Sequence, residues 1–498
     1  MANFNLIQEP WIPVQTLHGE PHLLGLRETL VRAHEFKSID DASPLVVTSL
    51  HRLLLTVLHR AFRGPTSYRS LQRLLEEGRF NEAVLGDYLG THQHRFNLFG
   101  DEPFYGVSDL ELPKDTSVAK LAVERSSGNN KALFDHSLDE TPPSLSFAEA
   151  ARWLVAHQAF ALCGGVSGGR LINFTDAPSP RGVIVLVTGK NLFETLVANL
   201  VPYHDEKLAE QDLAVWEKPA LTFKQLQQNQ KQPVTGPASL YTWQSRAVRL
   251  LPEEEHVARM FYASGFQAVG SFRDPAVAYL KPKKQDADYL PVKFSLGKGF
   301  WRDFGTLVPP EGNLRPQVLN HSYSEELQDH LAPHGVLRLT LLGQIARPGK
   351  PVVDAWRIER YPLPTRVLES EHWRGQLLGA LELAEGAGEA VRAAGYTLAV
   401  NLTDTEAAGD LLESLPLLKV YWSRLEAAFA VFLTKLGESE NPEEAYLWWR
   451  NLVRTTALDA FEVTRRAVGS KGRRAVMAGE SKLYMGLSKI GLKKEEAA

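Results

Sequence analysis

The sequence predicts an α+β fold, with a large mixed α/β region over residues 1–364 followed by a four-helix bundle over residues 365–498. Three observations predict it. Helical and strand periodicities succeed one another along the first region. After Pro364, alanine, leucine and glutamate dominate and proline becomes rare. The 498 residues also exceed one compact core; at roughly 100–200 residues per domain, two or three domains are expected.

In the first region, Val47, Leu50, Leu54, Val57, Leu58 and Phe62 recur at helical spacing, so Pro44 to Phe62 is an amphipathic helix. Phe147 to Leu162 reads as a second helix running into glycines. Arg181 to Val187 is a β-branched strand, followed by a helix from Asn191 to Leu200. Leu337 to Leu342 alternates as a strand does. Val352 to Tyr361 is its hairpin partner, with Arg347-Pro348-Gly349-Lys350 as the turn. Gln225 to Gln232 reads as a solvated loop or helix end.

In the second region, His372 to Ala399 predicts a helix loosened by Gly386 and Gly388. Leu418, Trp422, Leu425, Phe429, Leu433 and Leu436 trace one apolar stripe, which Gly437 stops. Asn441-Pro442-Glu443-Glu444 joins an N-cap, a first-position proline and acids facing the helix dipole. The helix it starts carries Trp449, Val453, Ala457 and Phe461. Ala475 to Ile490 supplies the fourth helix.

Composition narrows the function classes. Hydrophobic residues make up 44% and charged residues 23%, ordinary for a soluble globular chain. No apolar run approaches the roughly 20 residues that span a bilayer. The opening Met1 to Val14 lacks the pattern of a signal peptide. Cys163 is the single cysteine, which excludes an intrachain disulfide and a multi-cysteine zinc site and fits a reducing cytoplasm. The net charge of −4 argues against a free-standing DNA-binding protein, because neutralised phosphates supply much of such a protein's affinity. A near-neutral chain can bind DNA through local basic patches, helped by partners.

The sequence offers almost no catalytic pattern. Gly165-Val166-Ser167-Gly168-Gly169 matches the G-x-S-x-G nucleophile elbow, but that motif needs a strand-to-helix turn and here a helix precedes it. Ser295-Leu296-Gly297-Lys298 matches S-x-x-K without its companion motifs. Gly343 to Lys350 has the wrong spacing for a phosphate loop, and Pro351 replaces the hydroxyl residue. His92 and His94 lack further ligands at metal spacing. Cys163 reads as a small residue ending a helix. No catalytic residue, metal or cofactor is expected.

Four segments suit nucleic acid. Gly164, Gly165, Gly168 and Gly169 allow close backbone approach and an anion-binding nest, or form a plain linker. Ser126 to His136, with Asn129, Asn130, Lys131 and Phe134, reads as a surface loop able to order on nucleic acid. Lys281, Lys283, Lys284, Lys293, Lys298 and Arg302, interleaved with Tyr289, Phe294 and Trp301, form either a phosphate-contacting strip or a solvated face. The basic tail from Lys471 to Lys494 touches a DNA strand, an acidic neighbour or solvent.

Several segments, in order, resemble the large subunit (CasA type) of the type I-E CRISPR surveillance complex Cascade. They are Phe4 to Val14; His94 to Phe99 followed by Pro103-Phe104-Tyr105; Gln158-Ala159-Phe160 into the glycines; Arg181-Gly182; Asn191 to Leu196; and Phe272-Arg273-Asp274-Pro275. The resemblance implies a non-catalytic subunit near the 5′ handle of the CRISPR RNA, in contact with other Cascade subunits. It implies recognition of the PAM beside a double-stranded DNA target, help in opening the duplex for R-loop formation, and docking of a helicase–nuclease, in antiviral defence. It implies a glycine loop at 164–169 on the PAM minor groove and a PAM-sensing loop at 129–136 with Phe134 as its aromatic. Lys281, Lys283 and Lys284 become candidates for a minor-groove lysine. The wedge falls on Pro348, Gly349 and Lys350, where lysine replaces the glutamine of some members. The competing readings are a serine hydrolase using Ser167 and a purely structural scaffold.

Overall fold

The computed structural model describes residues 2–122, 144–164, 174–179, 181–203, 205–270, 272–284, 287–309, 313–347, 352–469 and 472–492. Helices and strands mix through the first part and helices fill the last, as expected. The chain divides into two compact units. One comprises Met1–Gly297 and Pro310–Arg360; the other comprises Lys298–Pro309 and Tyr361–Ala498. No helix among the described residues is long and apolar enough to cross a membrane.

In the first unit, strand Ile12–Thr16 lies between Pro21–Leu24 and Phe36–Ile39 in an antiparallel sheet. Ser43 then caps helix Pro44–Ala61, accepting from the Val46 N–H, and Pro44 takes the first position, where no N–H is missed. This helix buries more than its predicted stripe. From Pro44 to His59 every residue except Val47 is buried, which makes it a core helix. His51, Arg52 and His59 go inside with it.

Helix Phe147–Phe160 opens on a capping box between Ser146 and Glu149. Strand Ile184–Thr188 and helix Leu192–Asn199, capped by Asn191, follow. Strands Arg246–Glu253 and His256–Ser264 pair antiparallel. Val336–Ala346 is central between Ile184–Thr188 and Val353–Pro364, with Leu341 opposite Val185. Val353 to Arg360 alternates half-buried and exposed, as a strand with one solvated face does. The glutamine-rich stretch is less solvated than expected: Gln230 is buried and donates to Ser264 Oγ at 3.2 Å.

In the second unit, helices Glu371–Leu402, Leu417–Glu438, Pro442–Val468 and Arg473–Lys489 form the bundle. The bundle departs from the sequence expectation at three places. Gly437 does not end its helix, which runs to Glu438 and is capped at Ser439. Leu417 and Tyr421 take the inner positions expected of Leu418 and Trp422. Gly386 and Gly388 do not loosen theirs, which continues unbroken for 32 residues. Gly388 serves close packing instead, since a Cβ there would lie 2.3 Å from Trp422 Cζ2.

The basic strip is also not one surface. Trp301 is buried in the second unit, its ring 5.4 Å from Phe429 and 5.9 Å from Trp449. Arg302 makes two 2.6 Å bonds to Glu385 and lies 3.5 Å over the Trp422 ring. Lys298 bonds Asp303 at 2.6 Å. Phosphate cannot compete cheaply for cations already neutralised this way. Lys281, Lys283, Lys284 and Lys293 stay exposed in the first unit.

Candidate nucleic-acid interface

Arg52, buried in the central helix, forms an ion pair with Asp274 and donates to Ser179 Oγ. Asp274 Oδ1 also accepts from the Ala276 N–H at 2.9 Å, and the Asp274 N–H donates to the Tyr279 hydroxyl at 2.8 Å. One guanidinium thus fixes two segments far apart in sequence. Each is held by charge and directed hydrogen bonds rather than by apolar packing alone.

The chain leaves helix Phe147–Phe160 and returns beside itself. The Ala177 N–H donates to the Ala161 carbonyl at 2.8 Å, and the Ser179 N–H to the Ala159 carbonyl at 3.1 Å. The Cys163 N–H donates to Asp176 Oδ1 at 2.7 Å, and Asp176 pairs with Arg181. Burial pushes the Asp176 carboxyl up, but the bonds from Arg181 and Cys163 more than reverse this and hold it below its ordinary value. Burial and the Asp176 carboxylate push the Cys163 thiol up, so it is a poor nucleophile. Gly164 has φ +128°, a conformation that favours glycine.

A second network runs through Arg246, which is 1% exposed. Its Nη2 donates to the Leu162 carbonyl at 2.9 Å and its Nε to the Tyr262 hydroxyl at 2.9 Å. The Tyr262 hydroxyl lies 2.8 Å from His157 Nε2, and His157 Nδ1 lies 3.1 Å from the Leu121 carbonyl. Burial, followed by the neighbouring Arg246, pushes His157 down to about 3, so the ring is neutral near pH 7. A carbonyl only accepts, so Nδ1 carries the proton and Nε2 accepts from Tyr262. The network ties Leu121, the last residue but one before segment 123–143, to Leu162, close before segment 165–173.

The other two elements root beside Arg181. Its Nη1 donates to the Arg347 carbonyl at 3.4 Å, and the Arg347 N–H donates to the Val352 carbonyl at 3.0 Å, closing the hairpin below residues 348–351. The Val183 N–H donates to the Val292 carbonyl at 2.9 Å. This joins the same neighbourhood to the stem Tyr279–Leu280 and Leu290–Pro291, which carries Lys281, Lys283 and Lys284. Gly182 packs closely here: a Cβ would come 3.3 Å from the Val277 methyls, just before that stem, and 3.8 Å from Pro291 on it.

Among the predicted site residues, Gly164, Lys281, Lys283 and Lys284 are described. Gly165, Gly168, Gly169, Asn129, Asn130, Lys131, Phe134, Pro348, Gly349 and Lys350 lie outside the described residues, as does Ser167. The structure does bring the flanks of these segments together. Arg246 and Asp176, which help do this, carry no motif, whereas Arg181 stands in the Arg181-Gly182 segment of the family resemblance. The one further sequence signal is an arginine at an inward position of a strand.

The hydrolase reading loses its context, because the segment before Ser167 ends a helix, not a strand. Lys298 of S-x-x-K is paired with Asp303. His94 lies 3.6 Å from Glu102, and His92 packs edge-on against Tyr88. No group of three metal-ligating side chains occurs among the described residues.

A family model described as CRISPR-associated protein Cse1 matches residues 5–460. A CRISPR-associated protein CasA/Cse1 of Thermus thermophilus is 37% identical over 510 residues, covering 99% of this chain and 98% of the relative. The solved structure of Thermus thermophilus CasA (Cse1) superposes with a TM-score of 0.87 at 35% identity, covering 98% of this chain and all of that one. Cse1 from Acidimicrobium ferrooxidans gives 0.83 at 26% identity, covering 98% of each chain. A chain of a CRISPR RNA-guided surveillance complex shares the fold, with a TM-score of 0.72 at 22% identity, covering 97% of this chain and all of that one.

Proposed function

This chain belongs to the CRISPR-associated Cse1 family, and from that premise we propose that it is the large, non-catalytic subunit of an RNA-guided Cascade complex that reads the PAM of double-stranded target DNA. It sits by the 5′ handle of the CRISPR RNA, against other Cascade subunits. It helps open the duplex for R-loop formation, and its partner for cleavage is a helicase–nuclease that docks on the complex. The observation that supports this reading is the anchorage of four elements in one unit, two through Arg246, one through Arg181, and the lysine stem through the Val183–Val292 backbone bond beside it.

The chemistry is one of positioning. A glycine loop over 164–169 approaches the minor groove closely because no Cβ intervenes, and the degenerate minor-groove pattern suits tolerance of several PAMs. Lys281, Lys283 and Lys284 supply local positive charge. Asn129, Asn130, Lys131 and Phe134 sense the PAM. Pro348, Gly349 and Lys350 form the wedge, offsetting an unstacking cost of about a few kcal/mol per step by new contacts. Sequence itself is read by base pairing with the guide. A net charge of −4 suits a subunit that binds DNA weakly alone and strongly in the complex.

The test is binding of a reconstituted complex to target duplexes across a PAM panel at fixed salt, with and without this chain. PAM dependence should appear only when the chain is present. It should vanish, with assembly preserved, in Gly165→Asp and Gly168→Asp. Identical target binding without the chain overturns the reading. Identical binding by the two aspartate variants leaves a scaffold role instead.

A further inference from the structure

The basic tail, open in sequence between DNA, an acidic neighbour and solvent, is carried by the bundle helix Arg473–Lys489 of the second unit. One side of this helix is built for close approach. Gly472, Gly479 and Gly486 recur every seven residues. A Cβ on them would come 2.9 Å from Leu402 Cδ2, 3.0 Å from the Ala394 carbonyl oxygen and 2.6 Å from Ala390 Cβ. All three contacts fall on helix Glu371–Leu402, so the glycines seat the last helix tightly against that one.

The outer side is bare. Met477, Tyr484 and Met485 stand at i, i+7 and i+8, on one face of the helix, and are 65%, 42% and 54% exposed. Ser481 and Ser488 fall on the same face and are exposed too. No ring or cation covers Tyr484 among the described residues.

Cations border this strip. Arg473, Arg474, Lys482 and Lys489 are exposed, and none forms an ion pair among the described residues. Glu480 is the single acid of the helix, and its charge acts on Arg465 of helix Pro442–Val468. Uncompensated positive charge thus surrounds an apolar centre.

The three occupants use such a face differently. A nucleic-acid backbone would take the cations and leave both methionines in water, because a thioether offers neither charge nor a plane for a base. A solvated helix face needs only polar and charged side chains. A protein surface uses every part. Methionine adapts to irregular apolar partners, tyrosine supplies contact area at low entropy cost, and rim cations select an acidic border.

We propose that this face docks an acid-rimmed, apolar-centred surface of another Cascade subunit, an assignment that rests on the role proposed above and uses none of the residues given to PAM reading.

The test follows oxidation of Met477 and Met485 by dilute hydrogen peroxide, read by peptide mass spectrometry. Met260, fully buried in the first unit, is the internal control. In the free chain the two exposed methionines should oxidise about tenfold or more faster than Met260, because oxidation follows exposure. In the reconstituted complex without target DNA they should slow toward the Met260 rate. The protection should weaken as salt rises, since salt screens the rim charges. Met477→Glu with Met485→Glu lies on an exposed face and should leave the melting temperature of the free chain nearly unchanged. The affinity of that variant for the rest of the complex should fall about tenfold, the scale of losing central contacts of an interface. A complex that carries the chain while both methionines oxidise at the free rate overturns the docking face and leaves the Cascade role standing. A chain that never enters the complex overturns both. Protection by CRISPR RNA alone, or only after target duplex is added, gives the face to nucleic acid. Protection that grows with the concentration of the free chain gives it to a second copy. Either result overturns the proposal.

Discussion

Arg246 Nε donates to the Tyr262 hydroxyl at 2.9 Å, inside the first unit. That oxygen also bonds His157 Nε2 at 2.8 Å. It joins the side chain that holds the root of one candidate loop, His157, to the one that holds the root of the other, Arg246. Tyr262→Phe removes it while keeping the ring, which Lys120 overlies at 4.2 Å. Two buried nitrogens would then lose a partner, at a cost of about 1–3 kcal/mol. Thermal unfolding should fall accordingly. Amide exchange should quicken at both Leu121 and Leu162. Quickening at only one of them would show that the network does not couple the roots.

The Arg52–Asp274 pair makes a different prediction. Both side chains are buried, at 3% and 8% exposure. Asp274→Ala leaves a buried guanidinium with only the Ser179 hydroxyl and the Tyr241 ring as side-chain partners among the described residues, and should cost about 3–5 kcal/mol by urea denaturation. Arg52→Met with Asp274→Leu removes both charges and should cost less than the single change. A double variant at least as unstable as Asp274→Ala would mean that the pair stabilises the fold beyond its desolvation cost.

Four buried histidines set a pH dependence. Burial pushes His51, His59 and His321 down to about 4 and His157 to about 3. Unfolded, each titrates near 6.5. As pH falls below about 6.5, the unfolded chain takes up protons that the folded chain refuses, so stability falls. The fall continues until the folded values are reached, near pH 4. Each site contributes up to about 1.4 kcal/mol per pH unit. Chemical denaturation from pH 7 to 5 should show this slope, and His59→Gln should flatten it by roughly a quarter of the histidine share. An unchanged slope in that variant would mean that His59 titrates alike in both states.

These findings bear on how much the chain reveals before folding. The core helix was legible because Leu50, Leu54 and Leu58 repeat at its period, and Asn441-Pro442 announced a helix start that the structure keeps. The hairpin Arg246–Ser264 was not legible. Its inward positions include Arg246 and Ser264, which break the apolar alternation that marks a strand. Phe300–Leu307 looks like part of a basic strip, because its burial depends on Phe429 and Trp449 more than a hundred residues away. Asn129, Phe134 and the glycines of 165–169 read from composition only as loops that suit nucleic acid, and their specific roles come from the family resemblance. Their own composition distinguishes them little from ordinary loops.

Gly388 and Gly375 lie in one helix and should respond oppositely to alanine. Propensity favours alanine at both by about 1 kcal/mol. At Gly375 nothing lies within 4 Å of an added Cβ, so that gain is realised and the melting temperature should rise. At Gly388 the new atom would lie 2.3 Å from Trp422 Cζ2 and 2.6 Å from Cη2. Trp422 cannot easily give way, because Arg302 lies 3.5 Å over its ring while bonded to Glu385. Overpacking of this kind costs about 1–3 kcal/mol. Gly388→Ala should therefore lower the melting temperature despite its better propensity. Adding Trp422→Leu should recover part of the loss. If Gly388→Ala instead stabilises the chain as Gly375→Ala does, the glycine is a helix defect and not a packing contact.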